Sequence, residues 1–107
     1  MKGNIAQLMQ QAQRMQDGLK RVQEELAQTE VTGTSGGGVV NITITGKMEC
    51  RRVRIDPSTL GDAEMLEDLI AAAFNDARAK ADERSNAEMQ KIQSGIGLPA
   101  GFKLPGM

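Results

Sequence analysis

The N-terminal quarter of this chain carries a pattern that few folds can accommodate. Ile5, Leu8, Ala12, Met15, Leu19, Val22 and Leu26 recur at spacings of 3, 4, 3, 4, 3 and 4. That is an unbroken a/d seam, set among Gln, Glu, Lys and Ala, and it predicts a helix from Asn4 to about Thr29. Gly18 lies off the seam and costs about 1 kcal/mol relative to Ala. At about 1.5 Å per residue the helix is roughly 39 Å long. A compact domain of about 100 residues has a radius of gyration of only about 13 Å. The helix should therefore project from any globular body, and the projecting part of its seam needs a partner helix.

The middle of the chain reads as sheet. Glu30 to Thr34 forms a first strand whose only large apolar residue is Val31, and Gly36-Gly37-Gly38 makes a turn. Val40, Ile42 and Ile44 then alternate with Asn41, Thr43 and Thr45, the mark of a strand with one buried face. Gly46-Lys47 suggests a two-residue hairpin. A third strand follows from Met48 to Ile55, with Met48 and Cys50 in one phase and Val53 and Ile55 in the other. A bulge at Arg51-Arg52 would reconcile them. Asp56-Pro57 opens a short helical turn through Leu60, with Asp as cap and Pro at the first position.

Asp62 caps the last helix, and Glu64 suits its positive end. Leu66, Leu69, Ile70, Ala73, Phe74, Ala77 and Ala81 form a broad apolar stripe. Beyond Ala81 the helix turns polar, reaching about Gln93 with Met89 and Ile92 on its seam. The fold class is thus α+β: a long N-terminal helix, a three-stranded antiparallel sheet and a long C-terminal helix. Residues 1–94 form one domain. Residues 95–107 are too rich in Gly and Pro for regular structure and are expected to form a flexible tail.

Composition excludes several functions. The chain of 107 residues has no His, which removes Cys/His metal sites, His acid–base catalysis and Ser-His or Cys-His nucleophiles. With no Trp, no Tyr and two Phe, it lacks the stacking platforms of single-strand binders. The triple glycine is flanked by strand on both sides and lacks the helix and Lys-Ser/Thr pair of a phosphate loop. Glu24-Glu25, Glu67-Asp68 and Asp82-Glu83 read as solvated helix faces, not catalytic dyads. Cys50, the single cysteine, has no internal disulfide partner and reads as a small buried hydrophobe, although its basic neighbours could activate a thiol. No apolar run is long enough for a membrane span, and the first eleven residues lack a signal-peptide apolar block. No enzyme activity, metal, cofactor or small-molecule substrate is expected.

Net charge is −1, but it is segregated. Residues 1–23 hold Lys2, Arg14, Lys20 and Arg21 against Asp17, and residues 46–55 hold Lys47, Arg51, Arg52 and Arg54 against Glu49. The stretch from Asp62 to Asp76 is purely acidic. Local patches govern the approach of a polyanion. Lys2 and Arg14 lie in the first half of the first helix, and Arg84 and Lys91 in the second half of the last. Because both helices join the sheet at their other ends, their free ends should bring these four charges together. Arg78, Lys80, Lys20 and Arg21 are secondary candidates. A meander also leaves two open edges, the first strand having little charge to guard it. Self-association through the sheet would cure this and the overlong seam, with Val40, Ile42, Ile44, Val53 and Ile55 as the interface.

Five pieces of the chain, in order, carry a resemblance. They are Asn4 to Gln16, the Gly36–Gly38 turn leading into Val39 to Gly46, Val53-Arg-Ile-Asp-Pro57, Met65 to Ala77, and Gly95-Ile-Gly-Leu-Pro99. The chain resembles the YbaB/EbfC family of bacterial nucleoid-associated proteins over nearly its whole length. The resemblance implies a tweezer-shaped homodimer with helix pairs as arms, binding of double-stranded DNA in the cytoplasm and nucleoid, and no enzymatic activity. The contrasting expectation is a protein-binding adaptor or small chaperone whose fork grips a partner helix, suggested by the acidic pI of about 5.4 and the seven Met.

Overall fold

The computed structural model describes the backbone of residues 2–95 and the side chains of residues 4–93. Helix α1 spans Lys2–Gln28, strands β1, β2 and β3 span Glu30–Ser35, Val40–Thr45 and Cys50–Ile55, and helix α2 spans Ala63–Gly95. The sheet is an antiparallel meander in the order β1-β2-β3. A 3₁₀ turn over Pro57–Thr59 links it to α2. Gly95, expected to open the flexible tail, is instead the last residue of α2, and the rest of that tail, from residue 96 on, lies outside the described residues. The molecule is long: its extents are 72 × 24 × 17 Å and its radius of gyration is 19.5 Å. Projection of the helices, argued from the length of the seam, is what the structure shows.

The core lies between one sheet face and α2. Val40, Ile42 and Ile44 pack against Ala73, Ala77 and Ala81, flanked by Val31, Val39, Leu66, Leu69 and Ile70. The alanines let the helix come down onto the sheet, and Gly33 completes the fit. A Cβ at Gly33 would lie 2.7 Å from the Ala77 Cα and closer still to the Ala73 carbonyl oxygen and the Ala77 nitrogen. Backbone rests on backbone there, which no larger residue permits.

This helix also closes the β1 edge that had looked unguarded. The Thr34 N–H donates to Asp76 Oδ2 at 2.9 Å, and Lys80 Nζ donates to the Thr32 carbonyl at 2.9 Å. Lys80 and Asp76 pair at 3.1 Å, and the Ser35 hydroxyl donates to the Leu69 carbonyl at 2.6 Å. The Thr34 backbone bond, and then the Lys80 contact, hold the Asp76 carboxyl below its usual pKa. Edge groups normally left to water or to a second chain are here met by the protein's own helix.

The joint between α1 and the sheet solves another backbone problem. The last carbonyls of α1 have no intrahelical partner, and its last turn carries no basic residue. The Gly46 N–H donates to the carbonyls of Leu26 and Thr29, both at 2.9 Å, and Arg51 Nη2 donates to the Ala27 carbonyl at 3.3 Å. Gly46 is thus a partner of the helix end more than a turn residue.

The β2–β3 connection is accordingly not the expected two-residue hairpin. Thr45 N–H bonds to the Glu49 carbonyl, Met48 N–H to the Thr45 carbonyl, and Met48 sits at φ 68°. This is a three-residue loop closed by a left-handed residue, and β3 begins at Cys50, not Met48. The bulge is where the change of apolar phase placed it: Ile44 faces Cys50 and Thr43 faces Arg52, so Arg51 is the extra residue. Asp56 Oδ1 accepts from the Ser58 N–H at 2.8 Å, which lowers the Asp56 pKa, and Asp62 Oδ1 accepts from the Met65 N–H at 3.1 Å. Both expected caps are in place.

Candidate nucleic-acid interface

The α1 seam splits into three zones. Val22 and Leu26 are buried against the body, Met15 and Leu19 are half-buried, and Ile5 and Leu8 stand 60% and 64% exposed. The reason is the reach of α2. That helix crosses from β1 onto the C-terminal half of α1, where Ile92 comes within 3.9 Å of the Cβ position of Gly18. Gly18, off the heptad seam, is therefore half-buried at the inter-helix contact and lets Ile92 approach. Beyond it, α1 continues as an arm that no described residue of α2 covers.

Where the helices diverge they enclose a cleft of about 480 Å³, lined by Arg14, Asp17, Gly18, Arg21, Val22 and Glu25 from α1 and by Glu88, Lys91 and Ile92 from α2. A second hollow of about 450 Å³ adjoins it, bounded by Arg21, Glu24, Glu25, Gln28, Thr29, Arg84 and Glu88. Arg14, Arg21 and Lys91 thus converge on one open site, as the fork argument required of Arg14 and Lys91. Arg84 lies nearer the sheet, where it also borders Val31, Thr32 and Lys80. The Lys2 side chain lies outside the described residues.

The cleft is not a continuous positive face. Three cations (Arg14, Arg21, Lys91) meet three carboxylates (Asp17, Glu25, Glu88) along its walls. Glu88 is the most engaged of these: its Oε1 lies 3.3 Å from Lys91 Nζ and 3.8 Å from Arg84 Nε. Sequence reasoning passed over Glu88, although its spacing of four after Arg84 and three before Lys91 is the signal of helical ion pairs.

The remaining cations divide by task. Lys80 closes the β1 edge and is structurally committed. Arg51 caps α1 and pairs with Glu49 at 3.5 Å, and Arg52 pairs with Glu30 at 3.7 Å. Lys20, Arg78 and Arg54 are exposed. Thr32, Thr43 and Arg52 form one row on the opposite sheet face, with Thr34, Asn41 and Arg54 in the next, and Thr43 at the centre of that face is buried. A hydroxyl–hydroxyl contact of 2.9 Å joins Thr32 to Thr43.

The apolar sheet face is only partly covered. Val40, Ile42 and Ile44, expected at a dimer interface, are 0%, 3% and 0% exposed beneath their own α2. The helix stops short of β3. Cys50, Val53 and Ile55 share the face of Ile44, Ile42 and Val40, yet Val53 is 48% exposed and Ile55 only half-buried. Cys50 is likewise exposed, contrary to the expected burial, because nothing among the described residues packs over that end of the strand.

Comparison with known proteins agrees with this architecture. The YbaB/EbfC DNA-binding family matches residues 1–96. A nucleoid-associated protein of Xanthomonas oryzae pv. oryzae is 66% identical over 105 residues, covering 98% of this chain and 99% of the relative. One from Xylella fastidiosa is 63% identical over 105 residues, covering 98% of each. The crystal structure of an uncharacterized protein from Helicobacter pylori superposes with a TM-score of 0.71 at 28% identity, over 81% of this chain and 95% of that one. With its two arms, its three-stranded meander and a family match over nearly its full length, the chain belongs to the YbaB/EbfC DNA-binding family.

Proposed function

We propose that the chain binds double-stranded DNA as a homodimer, chiefly through phosphates met by its helical arms, in the bacterial cytoplasm and nucleoid. In a member of a DNA-binding family, the observation that carries this reading is the convergence of Arg14, Arg21 and Lys91 on one open cleft between two projecting helices. Lys2, Lys20, Arg78 and Arg84 extend the contact along the arms. The projecting stretches, residues 4–28 of α1 and 82–93 of α2, carry no aromatic side chain to wedge between bases, so contacts position the duplex without reading its bases.

The partner copy covers the bare half of the sheet. Val53, 48% exposed, and the half-buried Ile55 supply its apolar surface on β3. The β3 edge is the one that α2 leaves open. Light scattering should give a mass about twice the 11.5 kDa of one chain, and a monomer mass throughout the micromolar range would refute the dimer. Arg14→Ala with Lys91→Ala should weaken binding to unrelated duplexes about equally. Loss for only one duplex would overturn phosphate-led binding.

A protein-gripping fork is the second reading, favoured by Ile5, Leu8 and Met9, which are 60–68% exposed on a stretch without charge from Gly3 to Gln13. Under that reading Leu8→Gln removes function while DNA affinity, if any, is unaffected by Arg14→Ala.

A further inference from the structure

We propose that Glu88 is a built-in competitor for DNA: its carboxylate occupies the place a phosphate would take between Arg84 and Lys91, and so limits how tightly the arms hold a duplex. The proposal rests on the reading that the arms meet phosphates.

Three observations carry it. First, one oxygen, Oε1, serves both cations, at 3.8 Å from Arg84 Nε and 3.3 Å from Lys91 Nζ. Second, the exposures are graded: the Glu88 side chain is 17% exposed, whereas those of Arg84 and Lys91 are 56% and 73% exposed. The anion is the inner member and the cations reach outward over it. Third, Glu88 lines both hollows between the helices and faces Arg21 of α1 in each. It lies at the middle of the basic groups expected to touch DNA.

A phosphate that approaches Arg84 or Lys91 has two options. It can pull the cation away and leave a largely buried carboxylate with fewer partners, which is costly. Or it can share the cation and lie near the carboxylate, where like charges repel. Both reduce the gain from contact. An amide of the same shape at this position would remove the repulsion, and its oxygen could still accept from Lys91.

The test is a salt series of duplex binding for the parent, Glu88→Gln, and the control Asp82→Asn. Asp82 is exposed on the same helix, so its change adds the same charge away from the ion pairs. One further phosphate contact is worth up to about eightfold in affinity at about 0.1 M salt and steepens the log–log salt slope by about 0.9. Glu88→Gln should therefore bind severalfold more tightly with a steeper slope, and Asp82→Asn should show less than half of that gain. Arg84→Ala should cost more affinity in the Glu88→Gln background than in the parent.

Equal gains for the two neutralised variants, or an equal cost of Arg84→Ala in both backgrounds, would overturn the proposal. A parent that binds DNA with no salt dependence would instead overturn phosphate-led binding itself. Melting curves check that Glu88→Gln keeps its fold. If it does not, Glu88→Ala takes its place with the same expected ordering.

Discussion

Gly33→Ala adds one methyl group at the tightest of the described glycine positions, and its cost can be worked out from the contacts around it. The new carbon would overlap the backbone of α2 at Ala73 and Ala77. Neither atom belongs to a flexible side chain, so the whole helix must lift. Overpacking of this kind typically costs about 1–3 kcal/mol. Lifting α2 also stretches Thr34–Asp76 and Lys80–Thr32, at about 0.5–1.5 kcal/mol each. The total of about 2–6 kcal/mol is a large share of the roughly 5–15 kcal/mol that holds a domain folded. For a domain of this size, each 1 kcal/mol moves the melting temperature by about 4–8 °C, so a fall of at least about 8 °C is expected. Thermal unfolding followed by circular dichroism, at one fixed protein concentration, measures it. Gly37→Ala is the comparison: at φ 71° with nothing within 4 Å of its Cβ position, it bears only the left-handed backbone penalty of about 1–2 kcal/mol. If Gly33→Ala melts within about 3 °C of the parent, or above Gly37→Ala, the close seating of α2 on β1 is wrong.

Other outcomes follow from the same contacts. Met48, held at φ 68°, should be replaceable by Gly with a small rise in melting temperature, whereas Met48→Val should lower it, since a β-branched residue resists that conformation. Asp76 has a folded pKa below its ordinary 3.8, so its stabilisation is present above that value and is lost as pH falls through the folded pKa. Acid unfolding of Asp76→Asn should lack this component; an unchanged acid limb would contradict the β1 closure. Val53→Asp should give a folded monomer, because Val53 is exposed within one chain, while Ile42→Asp should unfold the protein by placing a carboxylate in the core. A Val53→Asp protein that remains a dimer would place the interface elsewhere.

Much of the architecture was legible because its signals are local. The α1 seam, the alternation of Val40, Ile42 and Ile44, and the caps at Asp56 and Asp62 each depend on residues a few positions apart. Even the Arg51 bulge could be read, since the apolar phase changes between Cys50 and Val53. What could not be read depends on how far one element reaches over another. Cys50 has an apolar phase, but its burial depends on α2 extending over β3, which it does not. Gly46 looks like a turn residue, yet its N–H is committed to the end of α1, and the loop lengthens to suit. Asp76 and Lys80 look like an ordinary exposed helical pair until β1 lies beside them.

The candidate site divides in the same way. That Arg14 and Lys91 share a cleft follows from two antiparallel arms of known length. That Arg84 sits about two turns back towards the sheet, and that Glu88 lies inward of both α2 cations, follows from the angle at which α2 crosses from the sheet to α1. No spacing within a single helix encodes that angle. Hence the positions of Arg14 and Lys91 on facing arms were legible, and the anion beside them was not.

If paired arms hold duplex DNA by its phosphates, affinity must depend steeply on salt. With about four to six phosphates engaged by a dimer, log affinity plotted against log salt should fall with a slope of roughly −4 to −5, equally for two duplexes of unrelated sequence. A slope near zero, or strong preference for one duplex at every salt concentration, would contradict it.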